Sequence, residues 1–306
     1  MLKTTTLLSI LLALCISVSP AQIKQHTKDY RSSSHGWDDW DDIWDWEFDS
    51  RPMIEINYGD VTFDHKNFKG SFSENGLVEF KIGYSSLDRS GYSLVALQEN
   101  FLFISRVSPS LKSDIDRDYD YKVEMLRGGF GWRKGLGYNS GHLSIIPYNQ
   151  TAIAWSKIDE NPFPSTTPPI NAHLSLTDII EGTDIIERYE DSYRFSVANE
   201  AGLKIELGPM IAFNGGYEVN TIFPRVKTWE MLGSFALEYG ALGLLDEFIE
   251  EIEFSTPEAA PIVSFVLRSA LHYTFYHLRQ EDMNWPIKSE ASLTFESFKI
   301  GTTFTF

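Results

Sequence analysis

Seven histidines, His26, His35, His65, His142, His173, His272 and His277, are the side chains here best suited to proton transfer or metal ligation near neutral pH. None stands in a motif with a nucleophile. His272 and His277 are five residues apart, the wrong spacing for two ligands on one helix face. No GxSxG, HExxH, phosphate loop or dinucleotide fingerprint occurs. Acyl transfer, zinc hydrolysis and nucleotide chemistry therefore lack their usual carriers. The expectation is a protein that is not an enzyme and has no cofactor and no metal site.

One other cluster could bind. In "HGWDDWDDIWDWEFDSRP", Trp37, Trp40 and Trp44 stand at i, i+3 and i+7, Trp46 follows, and aspartates fill the gaps. "DDWDD" lacks the spacing of a calcium loop. Two readings stand: a flexible acidic lead-in held open by self-repulsion, or a recognition segment whose indoles anchor a partner.

The elements that would position such groups begin with the leader "MLKTTTLLSILLALCISVSPAQ". Lys3 gives a positive start, Leu7 to Val18 an apolar run, and Ser19-Pro20-Ala21 a small-x-small site. This pattern is that of a secretory signal peptide cleaved near Ala21. Cys15, the only cysteine, leaves with it, so the exported chain has no disulfide. A net charge of −17 argues against nucleic acid as a partner. Aromatic residues make up 14% of the chain, yet no long uncharged apolar segment follows the leader. Such a chain spreads its apolar surface over many short strands.

Alternation with a period of two recurs along the sequence. Ile54, Ile56 and Tyr58 oppose Glu55 and Asn57. Val78, Phe80, Ile82 and Tyr84 oppose Glu79, Lys81 and Gly83. Phe130, Trp132, Leu136 and Tyr138 oppose Arg133 and four glycines, with Lys134 breaking the apolar face as a snorkelling residue or a membrane edge. Phe195, Val197, Leu203, Ile205 and Leu207 oppose Arg194, Glu200, Lys204 and Glu206. Tyr217, Val219, Thr221 and Phe223 oppose Glu218 and Asn220. Weaker strands lie near 100–107 and 143–158. A soluble sandwich also alternates. The mixed charges and glycines of the polar face fit a crowded lumen, and Tyr58, Tyr84, Tyr138, Trp155 and Tyr217 fit interfacial girdles.

The chain ends "FESFKIGTTFTF". Phe298, Ile300, Thr302, Phe304 and Phe306 share one face, and Ser297, Lys299, Gly301, Thr303 and Thr305 the other. This resembles the C-terminal signature strand of bacterial outer-membrane β-barrel proteins, which ends on an aromatic residue. The resemblance implies a strand recognised by the barrel-assembly machinery and paired with the first strand, with Phe298, Ile300, Phe304 and Phe306 as the closure and assembly signal. It also implies the outer membrane of a Gram-negative-type bacterium, with outer-membrane lipid as partner. On this facing, lysine should cost more at Ile300 than at Phe306 and be tolerated at Thr303.

Residues 227–280 read differently. Trp229, Leu232, Phe235, Ala236 and Tyr239 recur at helical spacing, as do Leu242, Leu245, Phe248, Ile249 and Ile252. Thr256-Pro257-Glu258 then reads as cap and first turn of a second helix reaching Arg279. The pair is expected to plug the lumen or pack at a barrel mouth. Residues 159–191, rich in Pro, Ser and Thr at their start, read as a long loop.

The expected organisation is a signal peptide (1–21), an acidic segment (22–51) and a barrel (52–306). The fold expected is an all-β antiparallel transmembrane barrel of roughly eight to twelve strands with the helical hairpin inserted. The expected function is a plugged pore or channel for a small solute of unknown identity. Two alternatives stand: a non-conducting structural or adhesive outer-membrane barrel, and a soluble periplasmic β-protein.

Overall fold

The computed structural model describes residues 50–68, 72–88, 93–112, 122–141, 143–159, 185, 187–190 and 192–306. The leader, the segment with Trp37, Trp40, Trp44 and Trp46, and most of loop 159–191 lie outside the described residues.

Alternation becomes eight antiparallel strands: β1 (Arg51–Asp64), β2 (Asn75–Asp88), β3 (Leu94–Ser108), β4 (Glu124–Asn139), β5 (Leu143–Asp159), β6 (Arg194–Leu207), β7 (Ile211–Ile222) and β8 (Leu293–Thr305). Each strand pairs with its neighbour in sequence, and β8 pairs with β1 from Met53↔Thr305 to Asp64↔Thr294, so the sheet closes. Closure pairs the edge groups that an open sheet leaves bare. Between β7 and β8 lie two helices, α1 (Thr228–Ser255) and α2 (Ala260–Glu281). The expected closed antiparallel barrel with a helical insert is borne out.

With an even strand number, Arg51 and Phe306 lie at one end, together with the β2–β3, β4–β5 and β6–β7 connections. Gly141 and Gly208 take φ of 78° and 72° there, the left-handed region that tight reversals use. The connections 65–74, 109–123, 160–193 and 223–292 lie at the other, loop end.

The barrel is polar inside and apolar outside. Ile56, Phe80, Ile82, Leu102, Ile104, Phe298 and Ile300 point outward and are exposed, while Glu55, Lys81, Glu99, Arg133 and Lys204 point inward and are buried. This reverses the order of a water-soluble barrel and matches the transmembrane one. Tyr58, Trp155 and Tyr217 face out toward the loop end, and Tyr84 and Tyr138 toward the turn end.

The lumen is layered. Val61, Phe63, Leu77, Met125, Ile222 and Phe295 form an apolar layer at the loop end, closed over by Tyr189. Val95, Leu97 and Ile146 form a small apolar cluster on the β3 and β5 side of the turn end, beside buried Ser144, Glu206 and Thr305. Charged residues fill the space between. Gly131 lets the Phe101 ring approach the wall: a Cβ there would sit 2.7 Å from Phe101 Cζ and 2.9 Å from Ala152 Cβ. Gly131→Val is expected to lower stability by about 1–3 kcal/mol, the usual cost of overpacking. The urea midpoint of the detergent-folded protein checks this, and an unchanged midpoint would show that the ring has room to move.

One helix boundary differs from the sequence reading. α2 opens at Ala260, not Pro257, with Pro261 in its first turn and no side-chain cap at Ala259. Thr256 belongs to the reversal, where its carbonyl accepts from the Ala259 N–H at 3.0 Å. Pro261 has no N–H to donate and a fixed φ, so the first turn suits it.

Candidate functional site

All eight strands send polar side chains into the middle of the lumen. Five glutamates (Glu55, Glu79, Glu99, Glu200, Glu218) meet five cations (Lys81, Arg127, Arg133, Lys204, Lys299), all buried. Arg133 on β4 donates through both Nη atoms to Glu55 on β1, at 2.8 and 2.9 Å, and through Nη1 to Glu99 on β3 at 2.7 Å. Lys204 on β6 closes on Glu99 from the other side. Arg127 bridges Glu79 at 3.0 Å and Glu218 at 2.5 Å. Tyr148 Oη donates to Glu200 at 2.5 Å, and its ring lies 4.4 Å from the Arg133 guanidinium carbon. Thr303 Oγ1 donates to Glu55 at 2.8 Å.

Lys299 on β8 is the hub. Its Nζ lies 3.0 Å from Glu79, 2.6 Å from Glu200 and 2.5 Å from Glu218. Those carboxylates have oxygens within 4.8 Å of one another, a spacing a divalent cation could use. The ammonium already stands among them and supplies the positive charge. The arrangement ties β2, β6, β7 and β8 together. Buried charges are tolerated only when paired and hydrogen-bonded, so this network holds the barrel as a completed set.

The helices do not plug this lumen. α2 lies along the outer face of β4 to β7, and α1 packs on α2 through Leu245, Ile249, Leu271 and Phe275. The expectation of a lumen plug is therefore corrected: the lumen is filled by strand side chains, which leaves the helices only the outer wall. Asn149 on β5 donates to Ser269 Oγ at 2.8 Å. Tyr138, at the turn end of β4, donates to the Glu258 carbonyl at 2.6 Å. Lys66, in the first loop, pairs with Glu281 at 2.5 Å. α2 thus climbs the wall from turn end to loop end.

No family model and no curated protein matches this chain. Solved structures do overlay on it. The crystal structure of Neisserial surface protein A aligns at 6% identity and a TM-score of 0.37, over 83% of this chain and 97% of that one. That of Ail, the attachment invasion locus protein of Yersinia pestis, aligns at 8% and 0.31, over 85% of this chain and 100% of that one. Ail in complex with the heparin analogue sucrose octasulfate aligns at 9% and 0.30, with the same coverage. These are loose overlays.

The C-terminal residues singled out by sequence do share one face. Phe298, Ile300, Phe304 and Phe306 all point outward and are exposed. Their strand neighbours on β1 are Asp60, Tyr58 and Ile54 for the first three, and the Phe306 N–H donates to the Pro52 carbonyl at 3.0 Å, so pairing runs to the last residue. Among the described histidines, His65 is buried edge-on against Tyr189, and burial holds its pKa below the ordinary value. His272 faces Glu238 between the helices, its Nδ1 at 3.5 Å, and His277 bonds Gln280. The structure gathers none of them into one centre. Sequence reasoning missed Glu99, Arg127 and the hub role of Lys299. The signal available was the alternation of charge sign across the polar faces of successive strands.

Proposed function

We propose that the chain is a non-conducting outer-membrane β-barrel, whose work is done on its surfaces rather than through its lumen. One observation carries this reading: the lumen is packed with buried, mutually paired charges beneath an apolar layer at the loop end. A conducting barrel keeps a wet polar channel instead. The outer membrane as location is supported by the leader pattern, the closed sheet and the apolar outer belt with aromatic rims. Lipid is the partner of that belt, and the barrel-assembly machinery is the partner read from the C-terminal strand. A soluble periplasmic protein would leave exposed an apolar surface that water-soluble proteins bury.

Two measurements test the reading. The protein should fractionate with the outer membrane and shift in gel mobility on boiling; recovery in a salt-soluble periplasmic extract would overturn it. In planar bilayers the intact chain and a variant lacking residues 228–281 should both show no channel steps, because neither opens the charged layer. Steady conductance from the intact chain would restore the pore reading.

A further inference from the structure

The helical pair turns large apolar side chains outward as well as inward. Over its first five turns α1 exposes Trp229, Leu232, Leu237 and Leu244 and buries Ser234 and Glu238; Leu245 and Ile249 are buried against α2. α2 exposes Ile262, Val266 and Tyr273, and buries His272 and Arg279 together with Leu271, Phe275 and Tyr276. A helix covering a protein in water keeps its open face polar. Charges at this level are paired between the helices: Arg279 meets Glu238 at 2.7 Å, and Arg268 meets Asp246 at 2.8 Å. Exposed glutamates on α1 begin at Glu247 and continue toward the tip.

The wall beneath points the same way. Where α2 lies, the outward face of the barrel carries Asn149, Thr151 and Asn199, and these are bonded to α2 or to each other. Most of the remaining outward face is apolar, as at Ile56, Phe80, Ile82, Leu102, Ile104 and Ile300, with Gln98, Asn100 and Thr302 as polar breaks. The polar patch is covered, and the surface presented in its place is the apolar face of the helices.

We propose that α1 and α2 are embedded in the bilayer beside the barrel, with the Leu232, Leu237 and Leu244 face of α1 against lipid acyl chains. The proposal rests on the outer-membrane reading of the barrel. Residues 229–244 of a helix rise about 24 Å, which matches the apolar band of about 25 Å on outer-membrane barrels. Among the described residues no helix is long and apolar enough to cross a membrane. That fits an element whose mid-helix charges, Glu238 with Arg279 and Asp246 with Arg268, are neutralised by its partner helix, since unpaired charges at this depth are costly. Continuity with the apolar belt, inward-turned charges and a glutamate-rich tip together favour lipid over a protein partner.

The test uses single cysteines in a Cys15→Ser background: Leu232→Cys, Leu237→Cys and Leu244→Cys on α1, Glu253→Cys at the tip, and Leu102→Cys on the belt as control. The folded full chain is placed in lipid nanodiscs, which leave both aqueous faces open, and treated with a charged maleimide. The three α1 positions and Leu102 should react at least tenfold more slowly than Glu253. A fluorophore at Leu237 should be quenched by nitroxide-labelled acyl chains as strongly as one at Leu102. Fast reaction at the α1 positions with a protected Leu102 would overturn the embedding and leave the barrel reading intact. Fast reaction at Leu102 as well would overturn the barrel reading and the embedding with it. Protection at Leu237 without quenching would mean that a protein, a second copy included, covers this face, and would overturn the lipid assignment.

Discussion

Lys299→Met is expected to destabilise the folded barrel by about 3–5 kcal/mol, the range for removing one partner of a buried ion pair. The loss should lie at the upper end, because three carboxylates share this ammonium. Methionine keeps the side chain's length, so the deficit is one of charge and not of volume. Adding Glu218→Gln to the same chain should recover part of the loss, since Arg127 still pairs with Glu79. Urea unfolding of the detergent-refolded protein, followed by the gel-mobility difference between folded and boiled forms, reads the effect. A loss below about 1 kcal/mol, the scale of a solvent-exposed pair, would show that water reaches the carboxylates and that the lumen is not sealed.

Leu102→Lys and Ile300→Lys are the second pair of large effects. These residues are 62% and 57% exposed. In water, lysine at so open a position changes stability by about 0.5 kcal/mol or less. On the lipid face of a barrel it costs about 2–4 kcal/mol at the midplane and about 0–1 near the interface. Phe306→Lys, at the chain end, belongs to the second class. Thr303→Lys, which the sequence reading expects to be tolerated, is instead expected to cost at least as much as Ile300→Lys. Thr303 is buried and bonded to Glu55, so a lysine there meets packed atoms and a set of charges already matched. Folding equilibria in lipid vesicles give the comparison. A neutral Leu102→Lys would place the belt outside hydrocarbon.

The strand pattern was legible wherever a strand is apolar on its outward side and charged on its inward side, as in β1, β2 and β8. It was weakest in β3 and β5, for reasons now visible. Asn149 and Thr151 interrupt the outward face of β5 because that face meets α2. Gln98 and Asn100 interrupt β3 level with Lys134 and Trp132 of β4. Most charges of the candidate site were legible one by one, Glu99 and Arg127 excepted. Their pairing was not, because Lys299 reaches partners as distant in sequence as Glu79, and a period of two says only which face a residue takes. The helical insert was legible as helix and misplaced in space. Spacing separates an apolar face from a polar one, but it does not say which face is turned toward the protein. Glu238 and Arg279 are buried while Leu237 and Leu244 are exposed, so the usual assumption inverted the packing.

The path of the insert also bears on what must be carried through a membrane. Both links to the barrel, 223–227 and 282–292, lie at the loop end, whereas the reversal meets Tyr138 at the turn end, where Arg51 and Phe306 also lie. A hairpin standing outward from the loops would oblige Glu247, Glu250, Glu251, Glu253 and Glu258 to be translocated with the rest of the insert. On the proposed outer-membrane reading, with the short turns on the side from which the strands enter, the acidic tip folded back along the wall stays on that side, and only the two short links cross with β7 and β8. The longest insertion in the barrel thus adds little to the polar load that its assembly has to move.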